Sequence, residues 1–330
     1  MDALAEAIDQ MAGHTRFSGA VRVDPGFEYA NGVADRIRDI PITATTRFAI
    51  ASGSKAFTAL AVVSLIADGM LALESTARSL LGSDLPLIPA DVTIEHLLAH
   101  RSGIGDYLDE SATQDANDFV LPVPAEALVE TEDYLPVLDG HPMLFPAGEG
   151  FAYNNSGYVV LALVAERVSG RPFHDLVGTA VCEPAGMRDT AFLRSDSLPD
   201  TAAIGYLDVE GSRTNRDRLP VRGNGDGGIY STVADMRAFW IALFDGRIVP
   251  RTWVSEMVSP RSETPNGSMR YGLGFWLDPA NDTVVLEGND AGVSFRSFHH
   301  VASATTATVI SNVTGSAWPI ARLLRDRVRA

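Results

Sequence analysis

Strand-like segments lie at the two ends of this chain and helix-like segments fill its middle, a distribution that admits few folds. FSGAVRV (17–23) and FEYANGVAD (27–35) read as paired strands around the turn Asp24-Pro25-Gly26. YGLGFWL, TVVLEG, VSFRSFHHVA and TATVISNV, all after residue 270, repeat that character. Helical patterns occupy 93–100, 124–138, 157–172 and 232–246, the last with Thr232 and Asp235 spaced to cap its start. Strands divided between both ends close most simply as one antiparallel sheet, with the middle of the chain inserted as a helical lobe. The expected fold class is α+β: an antiparallel sheet built from both chain ends, flanked by terminal helices at 3–11 and 317–329, with an inserted all-α lobe. We expect a discontinuous sheet domain (1–60 and 220–330), a helical domain (61–219) and a site in the cleft between them.

One residue in the stretch FAIASGSKAFTALAVVSLIADGM (48–70) has no counterpart elsewhere: Lys55 is the only lysine among 26 lysines and arginines. Ser52 precedes it by three positions, and on a helix such residues share a face. A serine hydroxyl is a weak nucleophile until a neighbour accepts its proton. Lysine does so once burial or charge depresses its pKa, whereas arginine stays protonated. The start of the helix adds free N–H groups and a positive dipole end that suit a developing oxyanion. A second cluster lies in FPAGEGFAYNNSGYVVLALVAERVSG (145–170). There Tyr153 and Asn155, at i and i+2, point the same way if the segment is extended. Tyr153 beside an ammonium is expected to have a lowered pKa and to exchange a proton with the serine. Asn155 offers an amide to hold the lysine and a substrate carbonyl. Alternatively, Asn155 or Ser156 simply caps the helix that follows.

These phrases together resemble the serine β-lactamase and penicillin-binding-protein superfamily. The likeness is to the class C-like branch that also holds esterases, D-aminopeptidases and D,D-peptidases. ITATTRFAIASGSKAFTALAVVSLIADGMLAL, TIEHLLAHRSGIGDY, PAGEGFAYNNSGY, CEPAGMRDTAF, GDGGIYSTVADMRAF and YGLGFWL follow in family order across residues 16 to 315. The resemblance implies Ser52 as acylated nucleophile, Lys55 as its base, Tyr153 as proton relay and Asn155 as the residue orienting lysine and substrate. It implies an oxyanion hole from the Ser52 N–H and an N–H on the strand near residue 292. Where the family carries Lys-Thr-Gly or His-x-Gly on a strand, EGNDAGVSF aligns with Asn289, Asp290 and Ala291 on those positions, then Gly292. No cation stands there, which disfavours a substrate carboxylate; Arg296 supplies one only if it turns inward. The function implied is a serine hydrolase acting on an ester or amide through a Ser52 acyl-enzyme, an esterase or a D-amino-acid amidase or peptidase rather than an efficient β-lactamase. The alternatives are an acyltransferase using the same site and a penicillin-binding-like protein without turnover.

The formal net charge of −16 argues against nucleic acid and anionic membrane partners, leaving a small-molecule ester or amide as the expected partner. The acidic N-terminus has neither the basic start nor the apolar run of a signal peptide, so a cytoplasmic location is expected. Cys182, the only cysteine, lies in apolar LVGTAVCEPAGM and reads as structural. No metal or cofactor is expected. GNGDGG (223–228) matches a dinucleotide fingerprint literally but follows no apolar strand, and reads as a flexible loop at the cleft edge. His299 and His300 would point to opposite faces of a strand.

Overall fold

A computed structural model describes residues 2–110 and 115–328. Its main sheet has eight strands: β1 (Gly19–Val23), β2 (Phe27–Asn31), β3 (Ser262–Glu263), β4 (Arg270–Tyr271), β5 (Trp276–Leu277), β6 (Thr283–Asp290), β7 (Val293–His300) and β8 (Thr305–Ser311). Their order is β2-β1-β8-β7-β6-β5-β4-β3, antiparallel throughout. The two chain ends meet where β1 pairs with β8, Gly19 opposite Ser311. The sheet drawn from both ends, expected from the strand distribution, is the sheet observed. The segment 27–35 breaks into two strands at Gly32, whose φ of +90° turns the chain.

Helices α1 (Asp2–Thr15) and α5 (Trp318–Val328) cover one face of the sheet, burying Ile8, Phe17, Val21, Phe298, Val309 and Leu324 together. The other face contributes Ala20, Leu286, Phe295 and Ile310 to a larger core shared with α2 (Lys55–Ala67), α3 (Asn155–Ser169) and α4 (Val233–Asp245). Residues 55–63 of α2 and 155–165 of α3 are all buried, which is why both helices are apolar on every side. Their ends are set locally. Asn154 Oδ1 accepts from Gly157 N–H at 2.6 Å to start α3, and Gly170, at φ +67°, ends it. Thr232 caps α4 through Asp235 N–H. The boundary expected at residue 60 falls inside α2, whose core is continuous with the sheet's inner face. The helix expected over 124–138 is instead two 3₁₀ turns and a four-residue helix, because the Val129 and Glu130 N–H groups donate to the Asp133 carboxylate and start a new turn there.

Candidate active site

The chain enters α2 through a 3₁₀ turn, Ala51–Ser54, and of residues 51–60 only Ser52 is not buried. Ala51 takes a φ of +46°, a conformation that favours glycine, so the turn is strained next to this serine. Neighbouring hydrogen bonds hold it: Ser54 Oγ donates to Ala51 C=O at 2.8 Å and accepts from Ile229 N–H at 3.0 Å. Gly53 admits Phe295 from the sheet, whose ring would lie 2.5 Å from a Cβ at that position.

Lys55 is 2% exposed, and its Nζ has three acceptors: Ser52 Oγ at 3.0 Å, Asn155 Oδ1 at 2.7 Å and the Asp226 carbonyl at 2.8 Å. Burial lowers its pKa, against the opposing pull of Asp226, Glu110, Asp106 and Asp290. The expected neighbourhood of Ser52, Lys55, Tyr153 and Asn155 is therefore assembled, with Nζ 4.8 Å from the centre of the Tyr153 ring. That ring lies between His100, 4.5 Å away, and Trp276, stacked at 5.8 Å.

Two details of this cluster differ from expectation. The Tyr153 pKa is raised well above 10 rather than lowered: burial and the nearby Glu110 carboxylate outweigh a hydrogen bond with Ser52. Asn155 holds Lys55 with its oxygen, but its Nδ2 is already committed to the Leu108 carbonyl (2.9 Å) and Glu110 (3.1 Å), leaving no amide proton for a substrate carbonyl. The cap of α3 is Asn154 rather than Asn155 or Ser156.

The third segment lies differently from its alignment. Asn289 lines the Ser52 cleft together with Glu287 and Gly288. Asp290 instead faces a second cavity shared with Tyr107 and Asp226, and burial pushes its carboxyl up to about 7. Ala291 and Gly292 form the hairpin turn beyond β6 and line neither wall of the cleft. The Gly292 N–H, expected near the oxyanion, is spent on Thr314 Oγ1 at 2.7 Å. The close approach to the serine is made by Gly288, where a Cβ would strike the Ile50 carbonyl and sit 2.9 Å from Ser52 N. Arg296 does not turn inward. It lies opposite Glu287 in the sheet, pairs with that carboxylate, and approaches Trp318 of α5.

The cleft itself has a volume of about 720 Å³. Its lining combines the carboxylates Asp106, Asp109, Glu110 and Glu287 with the apolar Pro142, Leu144, Ala152 and Trp276. None of its lining residues is an arginine. Asp106 accepts the Asn155 and Ser156 N–H groups at 2.8 Å each, which fixes the first turn of α3, and burial raises its pKa.

Several of these residues gave no sequence signal. Asp106 lies within the phrase TIEHLLAHRSGIGDY, Glu110 just beyond it, and Asp226 within both GDGGIYSTVADMRAF and the literal dinucleotide pattern, but nothing in those phrases marked the three carboxylates as site residues. That pattern is no flexible cleft edge: Asn224 and Asp226 are buried, and Asn224 N–H closes a tight turn on Gly227 C=O at 2.9 Å. Cys182 is buried, with its thiol pushed up to about 12, as fits a structural role. His299 stacks against both Trp240 and Phe244, while His300 is only half-buried. No described helix is long and apolar enough to cross a membrane.

The beta-lactamase family model matches residues 5–320. The crystal structure of a penicillin binding protein from Bacillus halodurans superposes with a TM-score of 0.90 at 34% identity, over 96% of this chain and 99% of that one. Esterase EstB of Burkholderia gladioli is 33% identical over 62% of this chain and 54% of its own length. A D-aminopeptidase of Cereibacter sphaeroides is 28% identical over 96% of this chain and 61% of its own. The chain belongs to the beta-lactamase family, the class that fold and site define together. Within it, this protein is a serine hydrolase.

Proposed function

We propose that Ser52 is the acylated nucleophile, Lys55 its base, and Tyr153 the proton donor to the leaving group. The observation that carries this reading is the set of acceptors around Lys55 Nζ. A neutral amine has two protons and one lone pair. Asn155 Oδ1 and the Asp226 carbonyl have no proton to offer, so both amine protons go to them. The lone pair is left facing Ser52 Oγ–H. As Ser52 attacks, its O–H proton passes to Lys55 while its oxygen bonds the acyl carbon. Tyr153, held as a phenol by its raised pKa, then protonates the departing alcohol or amine and recovers a proton from Lys55. Water releases the acyl group in the second half.

The oxyanion site follows from strand parity. Asp278 N–H donates to Thr283 C=O, so the backbone groups of Thr283, Val285, Glu287 and Asn289 face the β5 edge. Pairing with β5 ends at Val285, so the Glu287 and Asn289 backbone groups open on the cleft. The second oxyanion donor in this reading is Asn289 N–H, beside Ser52 N–H. The family's strand triplet then falls on Leu286-Glu287-Gly288, with buried Leu286 where a cation would stand.

A cleft lined by Asp106, Asp109 and Glu110 among apolar side chains, with no lining arginine, suits an ester or amide bearing a cationic group near the scissile bond. Fluorophosphonate labelling, mapped by mass spectrometry, tests the nucleophile. The label is expected on Ser52 and is lost in Ser52→Ala; a label that persists there refutes the assignment. Matched p-nitrophenyl esters bearing an ammonium, a neutral group or a carboxylate test the substrate class. The expected order of kcat/KM is cationic, neutral, anionic, and preference for the anion overturns it.

A further inference from the structure

We propose that Asp226 is the positioning residue and counter-charge of Lys55: its carbonyl aims the amine at Ser52, and its carboxylate stabilises the ammonium formed when Ser52 gives up its proton. The inference rests on Lys55 acting as the base and adds the residue that governs it.

The turn bearing Asp226 is fixed from several sides. Thr58 Oγ1, one turn along α2, donates to Gly225 C=O at 2.6 Å. A Cβ on Gly225 would run into the Tyr158 carbonyl of α3, so only glycine lets the turn enter between the two helices. Gly223 and Gly228 pack backbone to backbone at its base, where a Cβ on Gly223 would lie 2.6 Å from Gly228 Cα. These contacts involve the backbone of the turn, so the carbonyl that holds Lys55 stays in place whatever side chain residue 226 carries.

The side chain has a separate anchor. Asp226 is 7% exposed, and its Oδ2 accepts from Tyr107 Oη at 2.6 Å. Tyr107 is in turn tied to the start of α3 through its N–H and Ser156 Oγ, 2.9 Å apart. Among the described residues no arginine forms a salt bridge with Asp226, and the cation acting on it is Lys55. Burial raises the pKa of the Asp226 carboxyl and lowers that of Lys55, and the charge of each opposes the other's shift, so the charge state of either group answers to the other.

Other groups around the amine bear on its charge as well. Asp106 and Glu110 come from the loop before residue 111, Asp290 from the end of β6, Tyr153 and Tyr158 from the α3 segment, and neutral His100 from behind Tyr153. Asp226 is the foremost of the acids opposing the loss of the Lys55 proton. Its carboxylate therefore has two opposite effects. It reduces the neutral lysine available at low pH, and it strengthens the pull on the Ser52 proton once that lysine is neutral.

The test is the pH profile of kcat/KM for a neutral p-nitrophenyl ester with Asp226→Asn, whose amide oxygen still accepts from Tyr107. The acid limb is expected to move down by about one pH unit and the alkaline plateau to fall several-fold, so that the two profiles cross. An acid limb that coincides with wild type overturns the proposal. Tyr107→Phe gives a second reading where Asp226→Asn does not fold. Loss of the donated hydrogen bond favours the neutral carboxyl, so the limb moves the same way by less, and an unmoved limb counts against the proposal equally. Lys55→Ala in the same assay separates the two levels: if it keeps wild-type turnover, the base assignment fails and takes this inference with it.

Discussion

Asn155 reaches Lys55 with its amide oxygen at 2.7 Å while its amide nitrogen is tied to Glu110 at 3.1 Å. The Lys55 amine is thereby linked, through one side chain, to a carboxylate that lines the cleft. Asn155 thus works between protein groups: it sets where the amine points and leaves substrate binding to other residues.

Asn155→Ala is therefore expected to lower kcat by about 100-fold, the scale of a misplaced reacting group, with KM nearly unchanged. Steady-state kinetics on a p-nitrophenyl ester decide the matter. A raised KM with intact kcat would mean that Asn155 holds substrate after all.

Gly288 allows β6 to lie against the strained turn that carries Ser52. Gly288→Ala places a methyl against the Ile50 carbonyl and Ser52 N, and is expected to destabilise the fold by about 1–3 kcal/mol. Because that methyl intrudes on Ser52, the proposed nucleophile, activity should fall further than stability does. Fluorophosphonate labelling at a temperature where the variant is fully folded separates the two, and labelling at the wild-type rate contradicts the packing account.

Asp290 makes stability depend on pH. Its carboxyl titrates at about 7 in the fold, against about 3.9 in an unfolded chain. Between these values the native state holds a proton that the unfolded state has released. Stability is thus complete below about pH 4 and declines as the pH rises through 7. Asp290→Asn removes that loss. At pH 8 it should gain roughly 2 kcal/mol, allowing for partial solvation of the carboxyl, or a few degrees in Tm. At pH 4 it should gain almost nothing. Thermal melts at the two pH values check this, and an equal shift at both contradicts it.

The parts of this site that the sequence made legible are those with short-range geometry. Ser52 and Lys55 share a helix turn, and Tyr153 lies two residues from Asn155, so spacing alone brought each pair together. The sheet drawn from both ends was equally readable, since strand patterns at 17–35 and beyond 270 had no other partners. The β6 segment was not, because EGNDAG offers two glycines and spacing does not say which approaches the serine. Strand parity and the fit of Gly288 against Ile50 and Ser52 decide for the first glycine. Asp226 was hidden more deeply. It lies 171 residues from the lysine it contacts, inside a glycine-rich segment that read as a flexible loop when its glycines thread a turn between two helices. The Tyr153 pKa went the opposite way because proximity to an ammonium was weighed without the cost of burying a phenolate.

The solitary lysine, 2% exposed, has a practical consequence for spectroscopy. Protein grown with lysine isotopically labelled at the side-chain nitrogen contains one Nζ resonance, and it needs no assignment. Its chemical shift followed against pH reports the protonation of this amine directly, in the resting protein and in any variant. The charge of the group beside Ser52 can thus be observed as a single line, without substrate.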